Sequence, residues 1–163
     1  MPDEVPIRGS WEVDQAVFAR FQDAALEDAF RSAWPEDDRD SEECAAWNDS
    51  EARPATPRPY LIFEKVGGLL AHRSSGKTGT TLQEVENVPI QFTIHAESKP
   101  QAVEFCKLVA DAFDNWPLDM QNDSHVQTQR GRDFGVRQAD DHWIWVLPYT
   151  IQIDATYAAR RGP

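Results

Sequence analysis

Residues 88–96 set the tightest limit on how this chain can fold. Val88, Ile90, Phe92, Ile94 and Ala96 alternate there with Pro89, Gln91, Thr93 and His95. A two-residue period marks a strand with one buried face and one wetter face. Ser98-Lys99-Pro100-Gln101 follows at once and has the form of a capping box. Ser98 can accept from the backbone N–H three positions on, and Gln101 can reach back. A helix is therefore expected behind it, with Ala102, Val103, Cys106, Val109, Ala110 and Phe113 on one stripe and Asn115-Trp116-Pro117 at its end. Residues 143–156 form a second alternating run. Trp143, Trp145, Leu147, Tyr149, Ile151 and Ile153 share one face and are expected in the core. Pro148 lacks an N–H, so the strand should bend there or lie at an edge.

The other segments fit around this pair. Residues 13–33 read as one amphipathic helix, with Asp14 as N-cap and Trp34-Pro35 as the stop. Residues 60–66 form a strand, and residues 125–130 and 134–138 are short strand candidates. The expected architecture is α+β: an antiparallel four- to five-stranded sheet with two helices packed on one face. With 163 residues the chain suits one domain, 1–163. Three stretches are expected to be irregular: residues 1–12, the acidic and proline-rich 35–58, and a long polar hairpin tip at 67–87.

Charge narrows the range of function. Sixteen Lys and Arg against 28 Asp and Glu leave a net charge of -12. Such a body repels nucleic acid and anionic membranes, so neither is an expected partner. No apolar run approaches the length of a membrane span, and the first ten residues carry no signal-peptide pattern. A cytoplasmic setting is expected. The acids crowd into 35–58, which reads as a solvated insertion rather than a cation site, because the spacing lacks a calcium-loop pattern.

Chemical motifs are sparse. Cys44 and Cys106 have no ligand-spaced Cys or His beside them, so no metal or disulfide framework is expected. Ala71-His72-Arg73-Ser74-Ser75-Gly76-Lys77-Thr78 matches a loose phosphate-loop pattern. A working loop needs a long helix behind it, and at most two turns fit before the next strand. Asp123-Ser124-His125 and Asp140-Asp141-His142 could form an acid–base cluster if they met, but both read as turns before strands. Trp11, Trp34, Trp47 and Trp116 lie at segment ends, where they cover the rim of a core or meet a partner. No catalytic residue and no cofactor is expected.

A Trp-Pro helix stop, the strand entry Pro59-Tyr60-Leu61-Ile62-Phe63-Glu64, a long hairpin, the strand 88–96 running into a Ser-capped helix, and the closing strand Tyr149-Thr150-Ile151-Gln152-Ile153 form an ordered series. In that order the chain resembles the tail-terminator, or tail-completion, proteins of long-tailed phages and prophages. The resemblance covers residues 13–156 as an order of elements. It implies a non-enzymatic virion protein, assembled in the bacterial host cytoplasm. It further implies a homo-hexameric ring that caps the tail tube and joins it to the head, with tail-tube and head-completion proteins as partners. Ring and tube contacts would then fall on the wetter strand face, Gln91, Thr93 and His95, and on the hairpin tip, Arg73, Lys77 and Leu82. The alternative is a small acidic binding protein, of the immunity type, that captures a basic partner by electrostatic steering.

Overall fold

A computed structural model describes residues 10–48, 56–65, 72–78, 81–120, 124–132, 134–154 and 157–158. The fold is α+β. Helices α1 (Ser10–Asp23), α2 (Leu26–Ser32) and α3 (Lys99–Phe113) accompany strands β1 (Ala46–Asn48), β2 (Tyr60–Lys65), β3 (His72–Thr78), β4 (Thr81–Ala96), β5 (Ser124–Arg130), β6 (Val136–Gln138), β7 (Trp143–Asp154) and β8 (Tyr157–Ala158). The main sheet path is β1-β2-β4-β7-β5. β3 and β8 pair with β4, and β6 pairs with β7.

The sheet is mixed rather than purely antiparallel. β2, β4, β7 and β5 are antiparallel, but β1 lies parallel to β2, with Trp47 opposite Ile62. β1 belongs to the acidic stretch expected to be a loop. Arg31 holds that stretch down: its guanidinium donates to the carbonyls of Arg39, Ser41 and Glu43. Glu27, paired with Arg31, accepts from the Ala45 N–H. Residues 49–55 lie outside the described part.

β4 is the spine. The expected strand began at Val88, and the polar residues before it were expected to form a tip loop. Instead β4 starts at Thr81, and β3 pairs with residues 81–87 as a ribbon. The phosphate-loop match at residues 72–78 is therefore an extended strand of that ribbon, not a turn feeding a helix. β2 takes over the same side of β4 from Ile90 to His95. Between the two partners sits Pro89, which has no N–H to donate.

One face of the sheet carries the core: Leu61, Phe63, Ile90, Phe92, Ile94, Leu147, Tyr149 and Ile151 pack with Val17, Phe21, Phe30, Val109 and Phe113 of the helices. The Tyr149 hydroxyl donates to Asp114 just beyond α3, at 2.7 Å. Burial, then Asp114, pushes that phenol up. Trp143 and Trp145 are only half-buried, whereas Ile144 and Val146 are buried. The start of β7 is thus covered on both faces.

The single helix expected over 13–33 is broken. Ala25 has φ 57° and separates α1 from α2, and Asp14 lies inside α1 rather than capping it. A left-handed alanine carries a Cβ–carbonyl clash of roughly 1–2 kcal/mol that glycine avoids. Ala25→Gly is therefore expected to raise stability slightly, by about 0.5–1 kcal/mol. Urea unfolding that gives a lower midpoint than wild type would contradict it. The α3 start is as expected. Ser98 Oγ accepts from Gln101 N at 3.3 Å, and Gln101 Oε1 accepts from Glu97 N at 2.8 Å. Ser98→Ala is expected to lower stability by about 1 kcal/mol, with Ser98→Asp restoring it. An unchanged midpoint in Ser98→Ala would refute that role for the cap.

Candidate functional site

The face of the sheet away from the helices carries a connected polar arrangement. Gln91, Thr93 and His95 all point to this half-buried side. Gln91 donates to its cross-strand neighbour Glu64 at 3.2 Å. Thr93 lies in register between Ile62 and Val146. His95 lies in register between Tyr60 and Ile144.

Three rings, Trp47, Tyr60 and His95, stack in a column across the strands here, and His142 continues the series. Centroids are 4.8 Å apart for Trp47 and Tyr60, 4.5 Å for Tyr60 and His95, and 5.0 Å for His95 and His142. The histidines also meet edge to edge, with Nδ1 of His95 2.9 Å from Nε2 of His142. His142 Nδ1 is 2.7 Å from Asp141 Oδ1, and Asp141 Oδ2 accepts from Arg58 at 2.9 Å. Arg58 reaches Glu97 at 3.3 Å. An ionised carboxylate only accepts, so His142 donates through Nδ1. With His142 neutral, its Nε2 then accepts from His95.

Electrostatics follow from this order. Hydrogen bonds from His142 and then Arg58 hold the Asp141 carboxyl down at about 2. Burial, then His142 and Arg58, holds the His95 imidazole down at about 4. The arrangement ties the approach to β2, the end of β4 and the turn before β7 into one clasp. Arg58 sits between two carboxylates, Asp141 and Glu97.

The expected contact residues fall into two separate groups. Arg73, Lys77 and Leu82 lie on the ribbon, Arg73 in register with Glu86 and Lys77 with Leu82. Their side chains lie outside the described part. Leu82 and Gln91 are nine residues apart on one strand, or about 30 Å. The two Asp-His motifs do not come together. His125 pairs with Ile153 at the far end of β7 and contacts Thr128 Oγ1 at 2.7 Å. His142 meets His95 instead. Arg58 and Tyr60 are the members that the sequence did not single out as site residues. Only the strand register could have found them. Trp34 is buried, whereas Trp116 is exposed with Arg20 4.0 Å above its ring. No group of three or more His, Cys, Asp or Glu among the described residues could hold a metal ion. No described helix is long and apolar enough to cross a membrane.

No protein-family model and no curated protein matches the chain. Among solved structures, a chain of the virion of a native gene transfer agent (GTA) particle is similar, with a TM-score of 0.57 at 15% identity. The match covers 87% of this chain and 94% of that chain. At that identity the likeness is one of fold.

Proposed function

We propose that the chain is a structural protein of a phage-like virion and, within that class, a tail terminator. The observation that carries this reading is the fold likeness to a chain of a gene transfer agent virion over nearly the whole of both chains. The order of elements that resembles tail terminators supports the finer role. In that role copies form a homo-hexameric ring on the end of the tail tube, stop its growth and present a surface to the head-completion protein. The work is assembly rather than catalysis, and its place is the virion. Arg73, Lys77 and Leu82 on the ribbon, with Gln91, Thr93 and His95 on the sheet, are the proposed contacts to the tube or a neighbour.

Electron microscopy of the purified protein, alone and mixed with its tail tubes, tests this. Rings of uniform size, or tubes capped at one end, are expected. Protein that stays monomeric and leaves tubes uncapped and growing would end the reading.

A further inference from the structure

The two lateral edges of the sheet differ in a way that suits contact between copies. Beyond the β5 edge, the turn into β6 carries Phe134, which is 76% exposed. Gly135 follows with φ 71°, a conformation that L side chains rarely adopt. Gly131 anchors the other side of the turn, its N–H donating to the Pro148 carbonyl at 2.8 Å. A phenyl ring is thus held out in water on a braced turn. Phe134 is the most exposed large hydrophobic side chain among the described residues, and an apolar ring of that size gains most from being buried against a partner.

The opposite edge, at β1, has a socket. Phe18 of α1, Cys44, Ala46, Trp47 and Phe63 line a cavity of about 270 Å³, together with the polar Asp14, Gln15 and Asn48. A cavity of about 150 Å³ already admits benzene, so a phenyl ring fits. Charge matches the same pairing. Arg132 and Arg137 beside Phe134 are exposed, and Arg130 is partly engaged with Asp114. Before β1, Glu36, Asp37, Asp40 and Glu42 are exposed.

We propose that Phe134 of one copy seats in the Phe18–Trp47–Phe63 socket of the next. This rests on the ring reading and names its interface. A knob on one edge and a socket on the other make the contact heterologous: each copy uses both patches, and the series closes into a ring when the rotation allows. The basic turn against the acidic edge orients the approach.

Cysteine chemistry tests the pairing, because the socket already holds Cys44, while Cys106 is buried in the core. Arg132→Cys, which places a thiol beside the intact Phe134 ring at an exposed position, is expected to give a ladder of covalent multimers when treated with an oxidant or a short bis-maleimide. Peptide mapping should find the bridge between Cys44 and the new thiol, and Cys44→Ser should abolish the ladder. Phe134→Asp changes only an exposed side chain, so it should fold as wild type, judged by circular dichroism. It should self-associate roughly tenfold or more weakly, and added salt should weaken the wild-type contact. Wild-type rings that persist unchanged in Phe134→Asp, or bridges that map elsewhere, would overturn this interface and leave the ring reading standing. A wild type that caps no tubes, together with an Arg132→Cys variant that forms no ladder, would remove both.

Discussion

Trp34→Ala is expected to lower stability by about 3–5 kcal/mol. For a chain of this size that is a fall in melting temperature of about 6–20 °C. Trp34 is 1% exposed and sits where three segments meet. It follows α2, its ring lies 4.8 Å from the Arg31 guanidinium, and its Nε1–H donates to the Pro59 carbonyl at 2.8 Å. Its own carbonyl accepts from Arg39 at 3.1 Å. Removal leaves a large void and an unmet carbonyl ahead of β2. Trp34→Phe separates the two effects. It keeps most of the apolar volume but loses the donor, for about 1–3 kcal/mol. Thermal unfolding followed by circular dichroism measures both. A Trp34→Ala variant within about 1 kcal/mol of wild type would show that the ring is not the wedge described.

The second large effect is a loss of stability in mild acid. In the unfolded chain the His95 imidazole takes up its proton near its ordinary 6.5; in the folded chain it does so only near 4. Between these values the unfolded state binds the extra proton. The stabilising contribution is therefore complete above 6.5 and disappears as the pH falls toward 4. The full shift corresponds to about 3 kcal/mol. The ring is only partly buried, and solvent screening reduces that to about 1–2 kcal/mol. Asp141 acts in a lower window. Its folded value of about 2 means that its contribution is present above 3.8 and is lost as the pH falls through 2. Urea midpoints at pH 7 and pH 4.5 test the first window. His95→Phe keeps a ring against Tyr60 and should flatten the dependence between them. An equal slope in wild type and His95→Phe would assign the acid sensitivity elsewhere.

The legible parts of the fold were those where one-sided burial writes a period into the chain. β7, the second half of β4, and α3 with its Ser98 cap all show it. The ribbon was not legible, because residues 72–78 read as His-Arg-Ser-Ser-Gly-Lys-Thr and show no alternation. β1 spans three residues within an acid-rich stretch, too short for any period. The break at Ala25 carries neither glycine nor proline, so nothing local marked it. The prolines mark more than bends or edges. Pro148 was expected to bend β7 or mark an edge. It falls where β5, ending opposite Tyr149, gives way to β6, starting opposite Trp145. Pro89 does the same on β4 between β3 and β2. Each marks a change of partner along one continuous strand. Of the site, His95 was visible as a polar residue on the wetter face. His142 lies 47 residues later, and only the β4–β7 register brings them together.

β4 also fixes how force would travel through the subunit. Its 16 residues extend for about 50 Å, and α3 starts at Lys99, three residues after its end. A push or pull at the ribbon therefore loads a single backbone, clamped by β7 along residues 85–96, and arrives at the short bend of Glu97 and Ser98 that opens α3. The ribbon and the start of α3 are the two ends of one strut, so an event at one end would reach the other along a single backbone path.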